Sequence, residues 1–472
     1  MDQLTPTDAT HILVETGAHV SRIVDAYIFD PDGLPADLDL DAVLAWVGPR
    51  IRHSPMFRSR IRRYPADVDL PYWQPDPNFD LRAHVAVEAA PGPGWPAVRD
   101  RIAELCRTRV PLERPPWSLL VITGVTGVDG VPDGACVVVF KVHHAVGDGV
   151  EVVALARDLF APEPPAPGAL PAAVSPGGAA ARAVLRLPVV VFRFARGGVR
   201  AQILTRAAQR AAARGEVSAP RWRWPSTRFN RRPGPGFAFD AVSVDLDEID
   251  RIRSRLPGVT VTEVVSEVIG DAMVTYLREH GEQPPASLGG KVALSMRGTL
   301  ASRSRNNFVV LSVDLHTDLA DRVRRVAATH ESMTAEKVRF RHPAIAELSA
   351  VLDSAPAPYV RRLQAVGSRL PIGEGDTVAL GNTMISNVPR RAEGVRFFGS
   401  RVIGGFGILG IGAGSCLNHY IVSTGRTLTV TFAVDPDRMP DIDRYAALLR
   451  GSFRELADAA ARVETHPVEP PL

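Results

Sequence analysis

The run Ala135–Val142, ACVVVFKV, limits most what this chain can become. Eight residues with one lysine and no alternation do not describe a half-exposed strand, and the run is short for a helix. It reads as a strand covered on both faces, which requires further elements above and below it. Helical spacing marks Leu40–Ile51 and Pro96–Val110, where Val98, Ile102, Leu105 and Cys106 share a face, and a helix over Val150–Phe160 follows the run. Trp117–Thr123 is strand-like.

At 472 residues the chain exceeds one ordinary core, so two domains are expected. Residues 161–181, APEPPAPGALPAAVSPGGAAA, lack periodicity and read as a linker. The expected division is a first domain over 1–160, a Pro/Ala linker with an Arg-rich crossover over 161–232, and a second domain over 233–472. The second half opens with a strand at Phe237–Leu246 and helices at Asp247–Arg255 and Thr262–His280. Strands near Lys291–Ser295 and Asn307–Asp314 and helices over Leu319–Lys337 and Ala344–Leu370 come next. Strands at Thr383–Ser386, Val395–Phe398, Tyr420–Ser423 and Thr427–Asp435 precede a closing helix, Ile442–Val463. Mixed elements around a linker give an α/β class, layered as in α+β proteins.

Net charge is +3, with only three lysines, Lys141, Lys291 and Lys337. Arginine carries nearly all positive charge, which a GC-rich genome explains; its distribution says more. Arg182–Arg232 holds thirteen arginines and one acid, Glu216, among Val, Leu, Phe and Trp. Such a basic amphipathic segment favours an anionic membrane or lipid-droplet surface, although Pro188 and Gly197–Gly198 are expected to interrupt it. The plain alternative is a crossover helix with solvated arginines. Nucleic acid is not expected as a partner, because the rest of the chain is balanced and no reading motif occurs. Cys106, Cys136 and Cys416 imply no disulfide framework. The start, MDQLTPTDATHILVET, shows no secretory pattern, and no run of eighteen apolar residues occurs, so a cytoplasmic protein with peripheral membrane contact is expected.

The stretch KVHHAVGDGVEVVALARDLF, residues 141–160, carries the chemistry. Two histidines stand at the C-terminal end of the buried strand, where α/β proteins place reactive groups. Neighbouring residues on extended backbone point in opposite directions, so one histidine faces a cavity while the other packs inward. That disfavours a shared metal, as does the absence of HExxH or Cys/His spacing; no metal is expected. Asp148 suits a helix N-cap, with Glu151 completing a capping box, and a role in the loop is compatible with that. Neutral imidazole is suited to taking a proton from an alcohol near pH 7. No GxSxG elbow accompanies it.

His143-His144-Ala145-Val146-Gly147-Asp148-Gly149 matches the HHxxxDG signature of coenzyme A-dependent acyltransferases. Pro111-Leu112-Glu113-Arg114-Pro115-Pro116-Trp117 resembles the PLDRxxPLW block of the bacterial wax ester synthase/diacylglycerol acyltransferase family. Leu4–Ala9 through Glu15, Trp73–Asp80 with His84-Val85, Leu294–Arg297 with Asn307, Ile385–Pro389, and Asp435–Asp441 also resemble that family. The resemblance implies two chloramphenicol-acetyltransferase-like halves joined by a crossover, with the active site in a tunnel between them. It further implies acyl-CoA as co-substrate, no bound cofactor, and diacylglycerol or a long-chain alcohol as acceptor, giving triacylglycerol or wax ester. On it, His144 is the base, His143 supports the loop, and Asp148 pairs with Arg297. Gly147 and Gly149 let the loop turn, and Asn387, Asn307, Trp117 and Gly407 line the substrate tunnel.

Two departures stand out. The family's Asn-Asp is replaced by Thr262-Glu263, with Thr262 expected as N-cap. The glycine expected after Asn387-Val388-Pro389 is Arg390, followed by Arg391, which places charge where a compact turn is usual. Gly405–Gly410 matches GxGxxG but precedes no helix, so Gly404–Gly414 reads as close-packed backbone along an apolar channel rather than a dinucleotide site. Glu374 and Asp376 read as solvated loop residues. Trp222 and Trp224 suit either packing or an interfacial anchor. Rival functions are a condensation-type enzyme with another thioester donor or a glycolipid or non-lipid acceptor, and a non-catalytic lipid-surface relative.

Overall fold

Two six-stranded sheets carry the chain in a computed structural model that describes residues 2–13, 15, 20–64, 69–299, 302–367, 375–390 and 393–462. Across the first sheet the strands run Arg396–Phe397, Ser400–Ile408, Arg22–Phe29, Ala135–His143, Trp117–Val125 and Val85–Ala89. Across the second they run Phe308–Asp314, Gly289–Ser295, Thr383–Asn387, Leu417–Thr424, Thr427–Val434 and Ala238–Asp245. Pairing is antiparallel except at Val85–Ala89 and on both sides of Thr383–Asn387.

Every residue of Ala135–His143 is buried, because each face of its sheet meets a separate apolar layer. Val138 and Phe140 join Val43, Val47, Leu159 and Phe160 from the helices Leu40–Arg50 and Gly149–Leu159 and the residue after them. Val137 and Val139 join Val98, Ile102 and Phe406 on the other face. The second sheet packs Val292, Ile385 and Val430 against Val265, Ile269 and Met273 of the helix Val261–Glu279 and Leu449 and Phe453 of the helix Ile442–Ala461.

Several expected elements differ. Pro176–Ala213 is one continuous helix, so the linker ends at Ser175, which caps it by accepting from Gly178 N. Pro188 and Gly197–Gly198 do not interrupt it. Pro188 lies on the exposed face, where water can satisfy the carbonyl that its missing N–H leaves free. A side chain at Gly197 would overlap Ser354, so that glycine marks a close helix contact. The single helix expected over 344–370 is divided into Pro343–Ser349, a short turn at Val351–Ser354, and Ala357–Gly367. Ala355, ahead of Pro356, is extended, as sterics with the proline ring require. The N-cap before Val261 is Thr260 rather than Thr262, in a capping box with Glu263. Buried Glu263 also binds His330 Nδ1 at 2.9 Å and Lys337 Nζ at 3.0 Å. Trp224 is packing: it is fully buried and donates to Ser312 Oγ at 3.0 Å, whereas Trp222 is exposed. Asp376 is exposed; Glu374, Leu370, Arg391 and Val463 lie outside the described residues.

Three strands of the two six-stranded sheets are additional: Val85–Ala89, Arg22–Phe29 and Ser400–Ile408. Arg22–Phe29 carries Asp25 in its middle, which hides the apolar pattern of RIVDAYIF. Ser400–Ile408 leaves the second half of the chain to pair with it, setting Gly405 opposite Tyr27 and Gly407 opposite Asp25. Gly405 belongs to the GxGxxG match, and its missing side chain makes room for Arg390. That guanidinium is turned inward, where it pairs with Asp25, donates to Ala26 O at 2.8 Å and lies 4.1 Å over the Tyr27 ring. Tyr27 Oη donates to Asp25 Oδ2 at 2.9 Å. Burial lowers the Arg390 pKa to about 10.

Removing one partner of a buried ion pair strands the other charge, at a cost of about 3–5 kcal/mol, whereas removing both costs less. Asp25→Asn is therefore expected to destabilise the protein by about 3 kcal/mol or more in urea, and Asp25→Asn/Arg390→Gly by less than the sum of the singles. Additivity within about 0.5 kcal/mol would show that the two side chains are uncoupled.

Candidate functional site

The buried strand ends at His143, and a single 3₁₀ turn, His144–Val146, separates it from the helix Gly149–Leu159. His143 is fully buried. Its Nδ1 accepts from Ala145 N at 3.0 Å, so it caps the turn, and its Nε2 faces Glu15 Oε1 at 3.6 Å. Burial pushes the Glu15 carboxyl up, but His143 and the Ser21 N–H outweigh this and hold it below the usual range. His144 points the other way and is partly exposed.

Asp148 caps the following helix by accepting from Glu151 N at 3.1 Å. The reciprocal half of a capping box is not made; Glu151 instead faces Arg305 Nη1 at 3.5 Å and Arg297 Nη2 at 3.9 Å. The other oxygen of Asp148 takes Arg297 Nη1 at 2.6 Å and Asn307 N at 3.0 Å. Arg297 Nη2 reaches Arg305 O at 2.9 Å, and Asp148 N donates to the same carbonyl at 3.3 Å. One carboxylate thus joins the loop to residues flanking two strands of the second sheet. The glycines are there for closeness: a Cβ at Gly147 would lie 2.6 Å from the Glu151 side chain, and one at Gly149 would lie 2.7 Å from Val388 Cγ2.

The other expected tunnel residues are Asn387, Gly407 and Trp117. Asn387 Nδ2 donates to Thr262 Oγ1 at 2.9 Å, so the threonine that departs from the expected pattern meets the expected tunnel asparagine. A side chain at Gly407 would overlap the ring of Tyr420, whose hydroxyl points toward Gly149. Trp117 is buried in the first core, stacks on His84 and donates to Phe57 O at 3.0 Å. A separate groove of about 850 Å³, lined by Ile28, Trp95, Ser243, Phe406 and Arg450, opens between the sheets and includes none of residues 143–149.

Three residues at His144 were not singled out from sequence: Asp8, His11 and Asn306. His11 stacks on the His144 ring with centroids 4.0 Å apart and planes 4° from parallel. Asn306 Oδ1 lies 2.9 Å from His144 Nδ1, while Asn306 Nδ2 donates to His144 O at 3.0 Å and Asp8 Oδ1 at 2.9 Å. Asp8 Oδ1 also accepts from Ser304 Oγ at 2.7 Å and Asn306 N at 3.1 Å. Their only sequence signal is position: Asp8 lies in the opening block, and Asn306 precedes Asn307. Burial pulls the His144 pKa below its ordinary value, with His143 acting the same way. Hydrogen bonds to its own carbonyl and to Asn306, and the charge of Asp148, oppose that shift without cancelling it. Such a ring is neutral near pH 7 and can accept a proton. Among the described residues no group of three His, Cys, Asp or Glu side chains is placed to hold a metal.

Comparisons with known proteins agree along the chain. Residues 4–265 match the wax ester synthase/diacylglycerol acyltransferase catalytic domain, and residues 305–457 match the C-terminal domain of that family. One Mycobacterium tuberculosis protein named as a diacylglycerol O-acyltransferase is 26% identical over 98% of this chain and 91% of its own length. A second with that name is 27% identical over 99% of each. The Marinobacter aquaeolei wax ester synthase/diacylglycerol acyltransferase structure superposes with a TM-score of 0.65 at 22% identity, covering 98% of this chain and 100% of that one. The first condensation domain of the CDA synthetase superposes at 0.55 with 16% identity, over 98% and 96%. These neighbours share the expected two-domain architecture. The chain belongs to the wax ester synthase/diacylglycerol acyltransferase family.

Proposed function

We propose that this protein transfers a fatty acyl group from acyl-CoA to a lipid hydroxyl, either diacylglycerol or a long-chain alcohol, with His144 as general base. The observation that carries the reading is the neutral, partly exposed imidazole held at the seam between the sheets. An alcohol has too high a pKa to attack a thioester unaided near pH 7. The imidazole takes the hydroxyl proton as the oxygen bonds to the thioester carbon. The tetrahedral intermediate then breaks its C–S bond, and the proton passes to the leaving sulfur. No covalent enzyme intermediate is needed.

The second part of the reading is a lipid surface as the working place. The helix Pro176–Ala213 has seven arginines and no acid. It packs inward through Ala183, Leu204 and Ala211 and turns Leu185, Phe192 and Val199 outward, with 78%, 67% and 62% of their surfaces exposed. No helix among the described residues is long and apolar enough to cross a membrane. A basic helix with an uncovered apolar stripe fits peripheral attachment to an anionic lipid layer.

Three measurements test these points. Thiol release from palmitoyl-CoA is expected to require dioleoylglycerol or hexadecanol and to fall by about 10²–10⁴-fold in His144→Ala. Release unchanged in that variant would remove His144 as the base. The base works only when neutral, and its pKa is depressed, so kcat/KM should hold as pH falls toward about 6.5 and decline only below it. An acidic limb centred above pH 7 would contradict the assignment. Vesicle co-sedimentation should be stronger with phosphatidylglycerol than with phosphatidylcholine alone, and Leu185→Asp/Phe192→Asp should weaken it by about tenfold or more. Equal binding by both proteins would exclude this face.

A further inference from the structure

We infer that Asn306, backed by Asp8, is a positioning residue that fixes the tautomer of His144, leaving Nε2 as the atom that takes the proton. This rests on the reading of His144 as the base and extends it to the atom. The amide of Asn306 has both its hydrogens committed. Nδ2 meets Asp8 Oδ1 at 2.9 Å and His144 O at 3.0 Å, and neither partner has a hydrogen to donate in return. The orientation of the amide is therefore determined by its partners. Its Oδ1 is left facing His144 Nδ1 at 2.9 Å, and a carbonyl oxygen can only accept. Nδ1 must carry the hydrogen, and in a neutral ring Nε2 then holds the lone pair.

The amide is itself held firmly. Asp8 Oδ1 accepts from Ser304 Oγ and from both nitrogens of Asn306, and Asp8 Oδ2 accepts from Thr5 Oγ1 at 2.8 Å. Asp8 and Asn306 are both buried. The helix Pro6–Leu13 that supplies Asp8 also supplies His11, one turn later, whose ring lies flat on His144 and fixes its plane. Phe308 approaches at 6.4 Å between ring centroids. The groups that bear on its titration are its own carbonyl, His143 and Asp148 from its own loop and Asn306 from the second half, while His11 from this helix faces the ring.

Two experiments decide it. In nitrogen-15 NMR of the full-length wild-type protein, with His144→Ala used to assign the resonance, neutral His144 should show a protonated Nδ1 and an unprotonated Nε2. The opposite tautomer would overturn the inference, and this readout does not depend on acyl transfer. In the acyltransferase assay, Asn306→Ala and the similarly sized Asn306→Leu should lower kcat by about 10²-fold with KM within about threefold. Their acidic limb should move to lower pH, because an acceptor that favours the protonated ring is gone. A kcat within about threefold of wild type in both variants would overturn the inference. Loss of activity in Asn306→Leu with an unmoved limb would likewise overturn it, assigning Asn306 to packing alone. If His144→Ala keeps full activity the base assignment fails, whereas the tautomer is still settled by the spectrum.

Discussion

Asp148 stands where the first sheet passes its loop to a helix, and its carboxylate is shared between that helix and the second sheet. One oxygen accepts from the helix N-terminus, and the other takes Arg297 and the backbone of Asn307. A charge-assisted bond of this kind is roughly twice as strong as a neutral one, and its carboxylate is nearly buried. Moving the loop away from the second sheet therefore breaks the bonds to Arg297 and Asn307 together. Asn306 immediately precedes Asn307, so the residue facing the imidazole inherits its placement from the same anchor. The distance between His144 and the second half is thus set by Asp148 before either histidine is considered.

The sheets are joined by a second route, further from the loop. Ser400–Ile408 departs from the second half, pairs with Arg22–Phe29, and the chain then returns to the second sheet at Leu417. Arg390 and Asp25 meet beneath this strand, 365 positions apart in sequence. Both depend on Gly405 having no side chain. The glycines of this segment serve close approach by other side chains, Arg390 at Gly405 and Tyr420 at Gly407.

Legibility of the chain follows from how local each determinant is. The buried strand, the helices that flank it and the loop HHAVGDG were readable, because runs, spacing and caps are local. Arg22–Phe29 was not, since Asp25 makes sense only beside Arg390. The helix Pro176–Ala213 was obscured by Pro188, whose cost depends on which face it occupies. The split at Pro356 was a local signal that helical periodicity on either side concealed. At the site, the residue types with intrinsic reactivity could be picked out, whereas Asn306 and Asp8 have roles only through partners 162 and 298 positions away.

A neutral amide behind the imidazole, rather than a carboxylate, suits the proposed reaction. A carboxylate at Nδ1 favours the charged ring and raises its pKa, which helps when a poor leaving group must be protonated. A coenzyme A thiolate leaves without that help, since a thiol has a pKa near about 8.5. What the reaction requires is a ring that is neutral at working pH and correctly turned toward the alcohol. Burial and His143 supply the first condition, and the amide and the stacked His11 supply the second. Asp8, whose charge would otherwise act on the ring directly, is kept one residue back and binds the amide instead. Orientation and proton affinity are thereby controlled by separate groups, so the ring can be held rigidly without being made more basic.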